Sequence, residues 1–265
     1  MLVDGGDFVT RMLEREEPKA VLSWKEMSRL GYDAVTLGEL ELRSFALTES
    51  LMTVSPLPLV CTNVEHLVNG NWEPVGSKYR LLDVDGIRVG VVSMIPEDLA
   101  NAMARDYEDR VRILPAMDEL NKTVAMLRPQ VDIIVLLAHM DGQALEQQAS
   151  LMKDVDVVLG GHGTQDDRMP IQLGSVIVNR GGTRGQVVAL TRLIVSPDGH
   201  IADFGGRNVT LEPSYKEDPQ VLAQVEEVMQ KTRVAAPQAA TPAPGTPPAS
   251  RLQPGQATPQ LNQKE

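Results

Sequence analysis

Aromatic side chains are scarce in this chain of 265 residues: three phenylalanines, four tyrosines and two tryptophans against twelve methionines. The core must therefore be aliphatic, and an extended platform for stacking bases or sugars is not expected. Basic residues are outnumbered too, with 25 lysines and arginines against 36 aspartates and glutamates and a formal charge of -11. Such a surface repels phosphate backbones and anionic lipid heads, which argues against nucleic acid and membrane surfaces as partners. A local anion site held by a bound cation stays compatible with it, because the ion inverts the local field. The single cysteine, Cys61, allows no internal disulfide and no thiolate zinc cluster, and its expected role is a small buried apolar residue. No window approaches the roughly 18 uninterrupted apolar residues of a membrane-spanning helix, so no span is expected. The opening MLVDGGDF lacks the basic segment, apolar stretch and cleavage site of a signal peptide and reads as a core strand.

What is present is an apolar fraction of 42%, enough for a sizeable core. Over residues 1–213, short apolar runs alternate with helical spacing. Strands are predicted over 1–3, 34–37, 57–63, 131–138, 155–159, 175–179 and 187–196, the last two with a turn at Pro197, Asp198 and Gly199 finishing the domain as antiparallel strands, and a hairpin of 80–85 and 87–94 turns at Asp85 and Gly86. Helices are predicted over 11–30, broken at Pro18, and over 112–127 and 143–153. The run VDIIVLLAH is apolar on both faces, as in a strand covered by helices on one side and a second layer on the other. Residues 1–213 thus predict one layered α/β domain. Residues 214–233 carry an amphipathic helix, with Val221, Leu222, Val225, Val228 and Met229 at helical spacing, either a linker or docked on the domain. Residues 234–265 hold seven of the eighteen prolines and no aromatic residue, and are predicted to be disordered.

Three polar residues, Asp7, His139 and His162, stand at the carboxyl ends of predicted strands, where open α/β sheets place ligands. Gly5 and Gly6 release the chain before Asp7, and Gly160 and Gly161 before His162. Taken singly, each has an ordinary reading as a turn aspartate or a hydrogen-bonded core histidine. Together at one edge of successive strands they suit a zinc, manganese or iron site.

In this order, LVDGGDF, LGYDAVTLGELEL, PLVCTNV, VGVVSM, VDIIVLLAHMDG, VDVVLGGHGT and VIVNRGGTRGQVVALTRLIV resemble the calcineurin-like metallophosphoesterases, specifically the amino-terminal domain of the 5′-nucleotidase and UDP-sugar hydrolase family. The resemblance covers almost all of residues 1–196. It implies a four-layer αββα sandwich with two metals at the strand ends, a bridging aspartate at Asp7, and histidine ligands at His139 and His162. Departures are specific. The family's first block, Asp-x-His, precedes the Gly-Asp block, so the resemblance implies a sandwich whose first strand is missing from this sequence. Where the family reads Gly-Asn-His-Glu, Gly38 is followed by Glu39, Leu40 and Glu41, so a carboxylate replaces the asparagine ligand and leucine replaces the leaving-group histidine. Thr164 stands where a second histidine or glutamine would bind the other metal, with Gln165 and Asp166 as neighbours that a loop shift would have to recruit. The implied site therefore holds one divalent ion at most, zinc, manganese or iron, on Asp7, Glu39, His139 and His162. The alternative for Glu39 is a solvated loop residue.

Arg180 and Arg184, flanking the turn at Gly181 and Gly182, are candidates to bind a substrate anion, solvated loop charge being the other reading. His66 and His200 are expected on the surface, and Asp141 either shapes the site or caps a helix. The expected function is a metal-dependent phosphate-ester hydrolase of 5′-nucleotidase type, or its weakly active, degenerate relative, with a small phosphate ester as substrate. The alternative is a non-catalytic binding or scaffold module of the cell envelope that reaches a protein partner through the tail at 234–265. Family resemblance implies a periplasmic or extracellular location. A natural start about 30–40 residues upstream would supply the missing block and a signal peptide.

Overall fold

The computed structural model describes residues 1–9, 17–99, 109–149, 151–163 and 167–234. The predicted disorder of the tail, the first residues of the 11–30 helix, and Thr164, Gln165 and Asp166 fall outside the described residues. In chain order the elements are β1 (Val3–Asp4), α1 (Glu17–Leu30), β2 (Ala34–Val35), α2 (Glu39–Arg43), α3 (Phe45–Val54), β3 (Val64–Val68), β4 (Asn71–Pro74), β5 (Tyr79–Val84), β6 (Ile87–Met94) and β7 (Val111–Ile113). They continue with α4 (Ala116–Leu127), β8 (Ile133–Ala138), α5 (Gly142–Ala149), β9 (Val157–Gly160), β10 (Ile171–Leu173), β11 (Val176–Arg180), β12 (Val187–Val195), β13 (Ile201–Thr210) and α6 (Pro219–Val234).

The largest sheet runs β10-β11-β9-β8-β6-β5. Its β8, wholly buried, shows how the layers arise, since successive side chains of a strand point to opposite faces. Ile134, Leu136 and Ala138 pack with Leu120, Val124 and Leu127 of α4 and with Leu145 and Ala149 of α5. Ile133, Val135 and Leu137 face the other way, onto Val3, Ala34, and Leu193, Val195, Ile201 and Phe204 of the β12-β13 ribbon. Outside β1 and β2, Trp24 and Met27 of α1 and Leu42, Phe45 and Leu51 of α2 and α3 close a third apolar layer with Val35 and Leu37. The order is helix, sheet, sheet, helix, the αββα arrangement expected. Burying each large aliphatic side chain contributes about 1.5–3 kcal/mol, so the double-faced β8 is a principal source of stability.

Strands β6, β8, β9 and β11 are parallel, so β11, expected as an antiparallel strand, is antiparallel only to β10, and Met94, Ala138, Gly160 and Arg180 lie side by side in register at the carboxyl ends. The loops that carry His139 and His162 leave from this row. The hairpin turns at Asp85 and Gly86 as predicted, with φ of 54° and 87°.

Several elements differ from expectation. Residues 57–63 make only the isolated bridges Val35 to Leu59 and Val60 to Ser77. The regular strand starts at Val64 and sits in a small antiparallel sheet, β4-β3-β7, which the sequence pattern did not reveal. Its strands mix apolar with charged or polar residues, VEHLV, NWEP and VRI, so no continuous apolar run marks them. Residues 112 and 113, predicted as helix, belong to β7; Pro115 ends the extended stretch and α4 begins at Ala116. Helices α2 and α3 were not predicted, being short and stabilised by what they pack against. Pro18 lies in the first described turn of α1, where its missing N–H costs nothing, and the residues before Glu17 on which the predicted break bears lie outside the described residues. The amphipathic helix α6 docks: Gln224 Nε2 donates to Glu26 Oε1 at 3.3 Å and Arg29 pairs with Asp218 at 3.2 Å. Asp218 Oδ1 caps α6 by accepting from the Gln220 N–H at 2.9 Å.

Candidate metal centre

The chain leaves β1 through Gly6 and Asp7, with φ of 91° and 60°. Glycine adopts this left-handed conformation freely; for Asp7 it costs about 1–2 kcal/mol. Glu41 offsets that cost. Its side chain accepts from the Asp7 N–H at 2.9 Å, the Val9 N–H at 2.9 Å and the Gly38 N–H at 2.8 Å, clipping the Asp7 loop to the start of α2. Glu41 is fully buried. Burial pushes its pKa up to about 7, the Asp7 carboxylate adding to the rise while the three N–H groups oppose it. Sequence reasoning missed this role, because an acidic residue in a polar stretch has no pattern that separates a buried clip from a solvated side chain.

His139 follows β8 directly. Its Nδ1 lies 2.6 Å from the Gly5 carbonyl oxygen. A carbonyl only accepts, so Nδ1 carries the proton and Nε2 is the atom turned to the site. There Nε2 lies 2.6 Å from Glu39 Oε2, 3.6 Å from Asp7 Oδ2 and 3.3 Å from His162 Nδ1. His162 Nδ1 is 3.4 Å from Glu39 Oε2 and 4.0 Å from Asp7 Oδ2. Burial disfavours an imidazolium at His139, but the Asp7 and Glu39 carboxylates outweigh it and raise the pKa to about 10. Burial likewise raises Glu39, and the two histidines more than reverse this, leaving its carboxyl well below the usual range. The hydrogen bond to Glu39 raises His162.

One donor atom from each of Asp7, Glu39, His139 and His162 lies within 4.8 Å of all the others. Atoms bound at about 2.0–2.2 Å to one ion are at most about 4.4 Å apart, so a small contraction would close the set. Two carboxylate oxygens and two imidazole nitrogens suit a divalent transition metal. Side-chain exposure rises from 0% at His139 and 9% at Glu39 to 21% at Asp7 and 26% at His162, so the group opens to solvent on the Asp7 and His162 side. Glycines make the approach sterically feasible. A Cβ on Gly38 would lie 2.2 Å from Asp7 Oδ1, and one on Gly161 would lie 2.1 Å from the Gly5 oxygen.

Glu39, whose alternative was a solvated loop position, is buried at the first residue of α2. Next to it the Leu40 N–H donates to Asp7 Oδ1 at 3.0 Å, while its side chain offers no proton. Arg180 is 6% exposed and engaged by carboxylates: Nε lies 2.9 and 2.8 Å from the two Asp167 oxygens and Nη1 2.9 Å from Glu146 Oε1. An incoming anion would have to displace these partners. Arg184 is exposed in a turn, with φ of 61°. Asp141 caps α5 by accepting from the Gln143 N–H at 2.9 Å. His66, expected on the surface, lies in β3 with its ring against Phe45 and Nδ1 3.7 Å from Glu49, whereas His200 is exposed as expected. Cys61 is buried, and burial pushes its thiol pKa up to about 12.

Comparison with known proteins bears on the fold. No family model matches the chain. Among curated proteins it is similar to a 5′-nucleotidase of Vibrio cholerae, 25% identical over 182 residues that cover 62% of this chain and 32% of that protein. It is 26% identical over 206 residues to the trifunctional nucleotide phosphoesterase YfkN of Bacillus subtilis, covering 64% of this chain and 14% of that one. The chain thus spans a third or less of the length of these relatives. Among solved structures, the sulfate thiohydrolase SoxB of Thermus thermophilus superposes with a TM-score of 0.77 at 18% identity, covering 88% of this chain and 43% of that one. A 5′-nucleotidase precursor of Thermus thermophilus gives 0.74 at 20% identity, covering 88% and 49%. The calcineurin-like phosphoesterase YfkN of Bacillus subtilis gives 0.67 at 18% identity, covering 88% and 83%. The chain has a 5′-nucleotidase-like metallophosphoesterase fold, as its sequence segments implied.

Proposed function

We propose that this protein is a metal-dependent phosphate-ester hydrolase of 5′-nucleotidase type with a single-ion centre on Asp7, Glu39, His139 and His162, and that its turnover is slow. The observation that carries this reading is the convergence of those four side chains at the carboxyl edge of a metallophosphoesterase fold. A divalent cation held there supplies positive charge that binds and polarises a phosphoryl oxygen. The chain's own contribution is preorganisation. Gly5 fixes the His139 tautomer, and Glu41 sets the Asp7 and Gly38 backbones that frame the site. Leu40 gives the departing oxygen no proton, and loss of such a general acid costs about 10²–10⁴ in rate.

The substrate class we assign is a small phosphate ester, with nucleotides favoured by the names of the relatives. By the family resemblance of its segments we also assign it a periplasmic or extracellular location. The test is metal analysis by mass spectrometry together with hydrolysis of AMP and p-nitrophenyl phosphate in Mn²⁺ or Zn²⁺. We expect at most one ion per chain and slow hydrolysis, both lost in a His139→Ala, His162→Ala double variant. Two tightly held ions would contradict the single centre. Leu40 also favours a second reading, a metal-holding binding module that recruits a protein through residues 234–265. That reading predicts metal uptake without turnover, and association lost on deleting residues 218–265.

A further inference from the structure

We propose that Arg180 is a positioning residue for the metal centre: it staples shut the base of the loop that carries His162 and ties that base to α5. The inference rests on the metal-centre reading and concerns how one of its ligands is held. The loop leaves the sheet at Gly160, the register partner of Arg180, and is met again at Asp167, whose N–H donates to the Arg180 carbonyl at 3.2 Å. Both ends of the loop therefore bear on one residue.

The side chain completes the closure. Nε lies 2.9 and 2.8 Å from Asp167 Oδ1 and Oδ2, and Nη2 lies 2.5 Å from Oδ1. On the other side Nη1 donates to the Gly142 carbonyl at 3.2 Å and Glu146 Oε1 at 2.9 Å, which holds the first turns of α5, the helix that follows His139. Asn208 of β13 donates to the Arg180 carbonyl at 2.8 Å. The stem of Arg180 also packs on the start of the loop, since a Cβ on Gly160 would lie 2.8 Å from its Cγ. A planar guanidinium can serve a carboxylate with two prongs and a second acidic group at once; a lysine ammonium cannot reproduce that fork.

This matters because the two histidines are held differently. His139 is fully buried, continues β8 and is anchored through Nδ1 to the Gly5 carbonyl. His162 is the most exposed of the four, and its Nδ1 meets only other members of the group among the contacts described, at 3.3 Å from His139 and 3.4 Å from Glu39. Its position is therefore set through its backbone, by Gly161, whose N–H donates to the Ala138 carbonyl at 3.0 Å, and by the base of its loop. Weakening the staple should loosen one ligand and leave the other three in place.

The test uses Arg180→Lys, Asp167→Asn and His162→Ala, each alone, and Arg180→Lys combined with His162→Ala. Cobalt(II) serves as the probe, read by its visible ligand-field bands and by chelator competition, with thermal unfolding in EDTA as the check on folding. We expect Arg180→Lys to weaken Co²⁺ binding about tenfold, a typical effect of disturbing a group that orients a ligand, and to alter the bands. In the His162→Ala background it should add no further loss. Should Arg180→Lys fail to fold, Asp167→Asn carries the same expectation. Wild-type affinity and spectrum in the folded variants, or an equal further loss without His162, would overturn the inference. A wild-type chain that takes up no Co²⁺ would overturn the metal-centre reading itself, and this inference with it.

Discussion

Glu41 shows how much of the site depends on a residue that touches no substrate. Its carboxylate satisfies three backbone N–H groups from two loops, and each buried donor left without a partner costs about 1–3 kcal/mol. Glu41→Ala should therefore lower the free energy of unfolding by at least about 3 kcal/mol, read by urea denaturation in EDTA; Glu41→Gln, which keeps the volume and one acceptor, should lose less. At the metal centre, a 2.6 Å contact between His139 Nε2 and Glu39 Oε2 requires a shared proton when no cation is bound. Metal uptake should release it, so calorimetric titration in buffers of differing ionisation enthalpy should report proton release, and affinity should fall as pH is lowered. Asp132 gives a pH prediction away from the site. Hydrogen bonds from the Arg88 side chain and backbone lower its pKa from 3.8 to about 2. A carboxylate depressed on folding contributes stability above its unfolded pKa and loses it as pH falls through the folded one. That contribution should thus fade between pH 3.8 and about 2, and an NMR titration of Asp132 should return toward the unperturbed value in Arg88→Ala.

Among the elements, β8 is wholly buried, and its alternate side chains fill two different interfaces. Leu136→Ala on the helix-facing side should cost about 2–5 kcal/mol in urea unfolding. The convergence of the β1 and β9 loops depends on a glycine contact: Gly161→Ala would push a methyl group into the Gly5 backbone. We expect that variant to fold with reduced stability and to lose metal binding, checked by metal analysis beside its unfolding curve. Strands β6, β8, β9 and β11 and the Asp85-Gly86 hairpin were legible because continuous apolar runs and turn residues mark them. The sheet of β3, β4 and β7 and the short helices α2 and α3 were not, since their residues show neither apolar period and owe their conformation to neighbours distant in sequence.

Taken whole, the molecule is a four-layer αββα sandwich whose parallel strands end at one edge with the four candidate ligands, and no described helix is long and apolar enough to cross a membrane. The sequence by itself determined the layered α/β class, the positions of the central strands along the chain, and Asp7, His139 and His162 as strand-end residues, because apolar periodicity and glycine punctuation act locally along the chain. Only the tertiary structure decided that Glu39 points inward to His139, that Glu41 is a buried clip, and that Arg180 is occupied by Asp167 and Glu146. These depend on which polar groups meet: His139 and Gly5 are 134 residues apart, His139 and Glu39 are 100 apart. Local pattern encodes where apolar side chains are buried; which polar groups are buried with them, and against which partners, is chosen by the fold.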